Sequence, residues 1–205
     1  MNRTPVIFGL LSINILMFLV LRQSPEAWIQ NLALWPVGAT PEHHQLLIGS
    51  NFRLWQLLTY GFLHGSLMHL LLNMYALWLF GRVLEVHMGS QRFLAFYLTC
   101  IVGSALFHLL VQQVMLVQGV TAQPVIGASG GTFGLLMAFA YLFPDSRLYL
   151  LIPPMPVKAK WFVVGYGVVE LVFGVTGTAS GIAHFAHLGG MLTAYLLLRY
   201  WIASA

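Results

Sequence analysis

The sequence predicts an all-α membrane protein with six transmembrane helices in one bundle and a long membrane-associated first loop. Apolar residues make up 59% of the 205 residues and charged residues only 7%, whereas soluble domains carry about 25% charged residues. Six apolar runs approach the roughly 20 residues that a helix needs to cross a bilayer. The connections between them are short apart from the first, so we expect one domain over residues 1–205 without a separate soluble domain.

The predicted spans follow one another along the chain, and the first is expected to be retained. Its sequence lacks the small-residue cleavage site of a secretory signal peptide, which favours a span over a leader. The six spans cover residues 5–21, 57–80, 93–117, 128–143, 161–175 and 182–202.

The positions of lysine and arginine predict the orientation of these spans. Two of the nine basic residues, Arg22 and Arg53, fall in the first loop. The other seven share the opposite side with both termini, namely Arg3, Arg82, Arg92, Arg147, Lys158, Lys160 and Arg199. Because cytoplasmic loops are enriched in lysine and arginine, both termini are predicted to lie in the cytoplasm.

The composition also limits the partners and cofactors. The basic residues are scattered over short connections and form no stripe, which argues against nucleic acid as a partner. The single cysteine, Cys100, excludes an intramolecular disulfide and a cysteine metal cluster. We therefore expect membrane lipid as the surroundings, and neither a metal nor a cofactor.

The first loop contains a predicted short helix. Ser24-Pro25-Glu26 places a cap residue, a proline and an acid where a helix begins. Trp28, Leu32 and Trp35 follow at helical spacing, and Pro36 and Gly38 would end the helix. Such an amphipathic helix either lies in the outer membrane interface or packs on the bundle.

Four polar side chains in the even-numbered spans are predicted to lie at one depth. Counting a rise of about 1.5 Å per residue from the cytoplasmic end of each span places His69, Asn73, Ser129 and His187 roughly 14 to 24 Å up. This layer lies at or above the middle of the bilayer, towards the outer face. Polar groups are costly there unless they serve a site.

Span four is too short to reach the outer surface. Its 16 residues extend about 24 Å, against a hydrocarbon core of about 30 Å. Residues 119–126 would then form a re-entrant stretch beside a cavity open to the outside. The sequence therefore predicts that water reaches the start of this helix.

These positions indicate hydrolysis by a serine and a histidine. Ser129 at a helix start has unpaired N–H groups beside it that suit an oxyanion, and His187 is the best candidate for its base. Small faces at Gly189/Gly190 and at Gly127/Gly131 and Gly130/Gly134 would let spans six and four approach closely. His69 and Asn73, four residues apart on one helix face, can donate to a developing negative oxygen. The alternatives are a glycine packing interface and histidines with structural or proton-relay roles.

Three motifs carry a resemblance to a known family. They read His69-Leu70-Leu71-Leu72-Asn73, Gly127-Ala128-Ser129-Gly130 and Ala186-His187-Leu188-Gly189-Gly190. With them the chain resembles, over essentially its whole length, the rhomboid intramembrane serine proteases of the bacterial six-span type. The resemblance implies a rhomboid-like six-helix core with a Ser129–His187 dyad, an oxyanion hole from His69, Asn73 and the Ser129 backbone, and a structural acid at Glu85.

The resemblance also places Gly127, Gly130 and Phe133 in the oxyanion and substrate-binding region. Phe133 stands where some relatives have a tyrosine stacked on the base, so the ring is kept without its hydroxyl. Gln56 follows Trp55 where the family usually has arginine, which puts a loop-anchoring or lipid contact in doubt.

No acid is expected to complete a triad. Asp145 lies at the wrong end of span four, and Glu26 and Glu42 lie in the outer loop, so packing against Phe133 should orient the imidazole. Glu170 is expected to pair within the bundle or near an aqueous edge, and a gating role stays open. His64, His108 and His184 are expected to be mainly structural.

The expected function is cleavage of transmembrane protein substrates within or just outside their spans, in the inner membrane of a bacterium, with the active site opening to the outer side. One alternative is a non-catalytic rhomboid-like protein that binds client transmembrane segments; the presence of both Ser129 and His187 argues against it. A second is a transporter or proton channel, whose paired broken helices are not evident in the sequence.

Overall fold

The computed structural model describes residues 4–37, 52–117, 123–149, 154–177 and 183–203. Within these ranges the chain is almost entirely helical. A 3₁₀ turn at Tyr60–Phe62 precedes the long helices. The α-helices are α1 (Pro5–Leu21), α2 (Pro25–Leu32), α3 (Gln56–Thr59), α4 (Leu67–Met88), α5 (Ser90–Val117), α6 (Ser129–Leu142), α7 (Ala159–Thr176) and α8 (His184–Ala203). Two short antiparallel strands, β1 (Arg147–Tyr149) and β2 (Pro156–Lys158), join α6 to α7.

Among the described residues, three helices, α4, α5 and α7, are long and apolar enough to cross a membrane by length and composition. Helices α1 and α6 are apolar but shorter, with 17 and 14 residues. These helices make the chain an integral membrane protein of the predicted all-α class. The count of six spans stays a prediction.

The second predicted span begins later than expected. The apolar run starts at residue 57, but the regular helix α4 begins at Leu67, after α3 and the 3₁₀ turn. The Ser66 side chain caps α4 by accepting a hydrogen bond from the His69 backbone N–H at 3.1 Å. Hydropathy averaged over a long window does not separate these pieces, because the short His64-Gly65-Ser66 break is flanked by apolar residues. The Ser66 cap decides where the helix starts.

Glu85 ties three helices together near the end of α4. Its carboxylate accepts the backbone N–H groups of Val6 and Ile7 at 3.0 and 2.9 Å, and the Ser90 hydroxyl at 2.7 Å. The first two donors belong to the first turn of α1, whose N–H groups have no acceptor within the helix. The predicted structural acid therefore holds the starts of α1 and α5 to α4.

Ring contacts show that several helix termini meet at this same end of the bundle. His87 at the end of α4 lies against Phe143 after α6, with ring centroids 5.3 Å apart, and Arg92 of α5 lies over Trp201 of α8 at 5.8 Å. We call this the basic end, since it holds Arg82, Arg92, Arg147, Lys158, Lys160 and Arg199. Arg3 lies outside the described residues.

Glycines bring α6 and α8 into backbone contact. A Cβ added at Gly190 would collide with the carbonyl oxygen of Gly130, and one at Gly134 would lie 3.3 Å from the carbonyl oxygen of Gly190. The predicted contact between these faces is confirmed there. Gly131 and Gly189 instead face α5, against Tyr97 and Phe107. Small residues permit such close approach of helices.

The first loop is fastened to the bundle at several points. Helix α2 begins at Pro25 as predicted and ends at Leu32, and its Trp28 and Leu32 pack against Leu21 and Leu63. Trp35, which follows the helix, is 1% exposed. The predicted position of α2 in the outer membrane interface stays a prediction. Gly38, which was expected to follow the helix end, lies outside the described residues.

Gln56 anchors the loop, contrary to the doubt that its sequence position raised. It is fully buried, and its side-chain oxygen accepts the backbone N–H groups of Arg53 and Trp35 at 3.1 and 3.3 Å. Its amide nitrogen donates to the Asn31 carbonyl at 3.3 Å. An amide supplies both an acceptor and donors, so glutamine can hold the loop by its backbone without a charge.

Candidate active site

Ser129 is the first residue of α6, and the chain enters this helix through an irregular segment covered by protein. Leu34 and Val125 exchange two backbone hydrogen bonds of 2.9 Å, and the Gly127 N–H donates to the Tyr60 carbonyl at 2.9 Å. These hydrogen bonds hold the backbone of residues 125 and 127, shortly before the serine. Residues 118–122 lie outside the described residues. The backbone conformation that delivers Ser129 is therefore set by the first loop and by Tyr60.

Ser129 and His187 lie within hydrogen-bonding distance across the α6–α8 contact. Ser129 Oγ is 2.8 Å from His187 Nε2. The serine is partly exposed and the histidine is buried. With a proton on Nδ1, the neutral imidazole presents a lone pair at Nε2 to the serine hydroxyl, which is the arrangement of a nucleophile with its base.

Glu170 reaches the other nitrogen of the same ring. Its Oε2 lies 2.9 Å from His187 Nδ1, and both residues are buried. The expectation that no acid approaches the base is therefore wrong, while the expected pairing of Glu170 within the bundle is confirmed. A carboxylate at Nδ1 favours the tautomer whose Nε2 can take the serine proton.

The helical rise per residue, which places the other polar residues at one depth, also places Glu170 near His187. Glu170 lies eleven residues after Ala159, the start of α7, and so about 16 Å above it. His187 lies about 18 Å above Arg199 by the same rule. Glu170 therefore lies at nearly the same depth as His187, and this spacing is the signal in the sequence that points to it.

His184 shares the Glu170 carboxylate. Its Nδ1 lies 2.7 Å from the same Oε2 that His187 approaches. Phe173 meets the His184 ring edge-on, with centroids 5.8 Å apart. The Nε2 atom of His184 is buried and has no hydrogen-bond partner among the described residues. His184 was expected to be structural, and its position beside the base was not predicted.

Phe133 stacks on the face of His187, as predicted. The ring centroids are 4.1 Å apart and the planes are 7° from parallel. Tyr166 of α7 stacks on Phe133 in turn, at 5.1 Å and 9°. Stacking fixes the plane of the imidazole, and the Glu170 contact fixes its rotation within that plane.

The glycines that flank the serine leave room for side chains beside it. Gly127 has a positive φ of 130°, and a Cβ there would lie 2.7 Å from His69 Nε2. A Cβ at Gly130 would collide with the Ser104 hydroxyl, which donates to the Ala186 carbonyl at 2.6 Å. Larger residues at either position would displace groups next to Ser129 or His187.

His69 and Asn73 lie beside the start of α6. The Asn73 amide nitrogen donates to the His69 carbonyl at 2.9 Å, and its oxygen lies 3.4 Å from the Thr132 hydroxyl. One of the two amide hydrogens is thus used within α4, and the second is left for another acceptor. The role of His69 and Asn73 as oxyanion donors stays a prediction.

A groove of about 370 Å³ opens at the end of the bundle opposite the basic end. Its lining includes Phe18 of α1, Ile29 of α2, Ile126 and His64. The His64 ring meets the His69 ring edge-on at 5.0 Å. The groove is thus joined to His69 only through His64, and Ser129 and His187 do not line it.

Comparison with known proteins identifies one family. The family model described as "Rhomboid domain" matches residues 51–204. The chain is 31% identical over 209 residues to the mitochondrial Rhomboid protein 1 of Saccharomyces cerevisiae, covering 98% of this chain and 54% of that protein. It is 32% identical over 143 residues to the mitochondrial presenilin-associated rhomboid-like protein of Bos taurus, covering 68% and 36% of the two chains.

A further relative is the RHOMBOID-like protein 4 of Arabidopsis thaliana, at 31% identity over 144 residues and 70% of this chain. The chain spans about half or less of the length of the relatives it matches. Two of the three are mitochondrial by name, so these matches give no support to the bacterial type or to a bacterial inner membrane.

Proposed function

Because the chain belongs to the rhomboid family, we propose that it is an intramembrane serine endopeptidase that cleaves transmembrane proteins. The observation that carries this proposal is the line of atoms from Ser129 Oγ through His187 to Glu170. The two contacts measure 2.8 and 2.9 Å and involve the two different nitrogens of one ring. A serine hydroxyl, an oriented imidazole and a carboxylate are the parts that acyl transfer requires.

In the proposed mechanism, Ser129 Oγ attacks the scissile carbonyl while His187 Nε2 takes its proton. The imidazolium then gives this proton to the leaving amine, and an acyl-enzyme is left on the serine. Water repeats the sequence through the same base and releases the acid product. The partial exposure of Ser129 supports access of water to the acyl-enzyme.

Glu170 acts in this mechanism as a positioning residue. Its carboxylate accepts the Nδ1–H of His187 and keeps the lone pair at Nε2 directed to the serine. It also stabilises the positive charge that the ring gains during the reaction. The negative oxygen that develops on the substrate would be met by the N–H groups at the start of α6, His69 and Asn73.

The substrates we propose are transmembrane segments with small residues at the cut and helix-weakening residues below it. An intact helix uses its carbonyl groups in its own hydrogen bonds, so the segment must unwind before Ser129 can attack. The basic end supports an orientation with both termini in the cytoplasm. The site would then open on the outer side of the membrane.

Active-site labelling tests this proposal. Protein purified in detergent is treated with a fluorophosphonate probe and, in liposomes, with a single-span substrate. Wild type should label and cleave, whereas Ser129→Ala should do neither. Equal labelling of both proteins overturns the proposal, and substrate binding without cleavage by wild type would favour the client-binding alternative.

A further inference from the structure

Three ligand atoms converge on one buried point next to the catalytic pair. Glu170, His184 and His187 each offer one such atom, and these atoms all lie within 4.8 Å of one another. The side chains are 5%, 6% and 8% exposed. Both histidines direct Nδ1 at the same carboxylate oxygen, at 2.7 and 2.9 Å. Hydrogen bonding to a catalytic histidine requires only one of them.

Two imidazoles and one glutamate form a ligand set that zinc uses in proteins, with a fourth position left to water. Ligand atoms around a tetrahedral zinc are roughly 3.3 Å apart, given bonds of about 2.0 Å. The distances from Glu170 Oε2 to Nδ1 of His184 and of His187 would therefore lengthen by about half an ångström each to admit the ion. Calcium and magnesium prefer oxygen ligands, and two nitrogens select against them.

We propose that Glu170, His184 and His187 bind one Zn²⁺ ion and that this ion reversibly inhibits the protein. The proposal of a binding site depends only on the three side chains. The proposal that zinc inhibits the protein depends in addition on the proposed peptidase function. The ion is a regulator in this proposal, not a catalytic cofactor.

Zinc would inhibit by changing the tautomer of His187. Coordination through Nδ1 uses the lone pair of that atom, and the proton it carried is taken up at Nε2. The same exchange at His184 places its proton on Nε2, so no net proton is released and the site gains two positive charges. With hydrogen on Nε2, His187 has no lone pair for the Ser129 proton. The carboxylate that would stabilise an imidazolium is occupied by the metal as well.

Zinc binding is measured first on Ser129→Ala, which needs no activity. The detergent-purified protein carries a histidine-free tag and is titrated against a chromogenic zinc chelator. We expect one ion per chain, and with Co²⁺ the visible bands of a four-coordinate site. His184→Asn and Glu170→Gln, each made in the Ser129→Ala protein, should weaken binding at least about tenfold. His108→Asn, which removes another buried histidine outside the cluster, should bind as its parent.

Failure of Ser129→Ala to retain zinc, or equal binding by the proteins with and without His184, overturns the proposed site. Variants that lack a ligand are compared only if their size-exclusion profiles match that of the parent protein. The Co²⁺ spectrum is recorded on the parent protein itself, so it tests the site even if the variants do not fold.

The inhibitory effect is measured on wild type as the rate of fluorophosphonate labelling. Zinc should slow labelling and EDTA should restore it. If zinc binds without slowing labelling, the proposed inhibition is wrong. If wild type is never labelled, the proposed peptidase function is wrong, and the measurement of zinc binding still tests the metal site.

Discussion

Helices α6 and α7 both contribute to the site, but they are held in different ways. Eight of the 14 residues of α6 are buried, and its glycines touch the backbone of α8. Only Ala159, Val163, Glu170 and Gly174 are buried among the 18 residues of α7. Ser129 and His187 are therefore fixed by backbone packing, whereas Glu170 comes from a helix with a small buried face. This difference indicates that the Ser129–His187 distance and the Glu170 contact can be disturbed separately.

Some substitutions disturb either the α6–α8 contact or the Glu170 contact. Of these, Glu170→Gln should reduce kcat most. A glutamine amide can donate to Nδ1 and so place the proton on Nε2, and loss of the correct tautomer costs on the order of 10³-fold or more in kcat in serine proteases. The measurement is kcat and KM with a transmembrane substrate. We expect kcat to fall with KM unchanged, and Glu170→Asp to recover part of the loss. A change in KM alone would contradict the positioning role.

Gly190→Ala should come next, because it acts on the α6–α8 contact itself. The added methyl group collides with the Gly130 carbonyl, and a displacement of about 1 Å can cost roughly 100-fold in rate. Thermal unfolding should shift to lower temperature as well. Gly165→Ala on α7 is the matched control, since a Cβ there has nothing within 4 Å. Equal losses in the two variants would show that backbone contact does not set the geometry.

Phe133→Leu tests how far stacking contributes to the orientation of the base. It removes the ring that lies 4.1 Å from His187, while Glu170 keeps its contact. Aromatic pairs contribute about 0.5–1.5 kcal/mol, which predicts a decrease in labelling rate of roughly 2- to 12-fold. Phe133→Tyr retains the ring and should stay near wild type. A loss as large as that of Glu170→Gln would mean that stacking is the main support.

The smallest effect is expected at the basic end, far from the site. Lys160 and Lys158 lie 2.9 and 3.0 Å from Asp145 and hold the pKa of its carboxyl below the ordinary value. A lowered carboxyl pKa adds stability above the unfolded-state value and loses it as the pH falls through the folded-state value. The difference in melting temperature between wild type and Asp145→Asn should be small, and it should vanish once the pH falls below the lowered pKa of this carboxyl. A difference that is constant with pH would exclude this ion pair as its source.

The sequence predicts elements well where one local signal decides them. Helix α1 has the predicted bounds because a proline starts it and the apolar run stops with it. The depth count and the glycine faces placed Ser129 beside His187. The start of α4 was missed because hydropathy continues through the 3₁₀ turn, and Gln56 was misjudged because its partners are backbone groups up to 25 residues away. Glu170 was missed because its distance to His187 depends on how α7 packs against α8.

The backbone pairing of Leu34 with Val125 links the first loop mechanically to the entry of α6, and so to Ser129. Only three residues lie between Val125 and Ser129, so the two hydrogen bonds hold the chain close to the start of α6. An antibody fragment that binds and displaces the first loop would also displace the entry to α6. A reagent that displaces this segment is therefore expected to change the position of Ser129 through the backbone pairing.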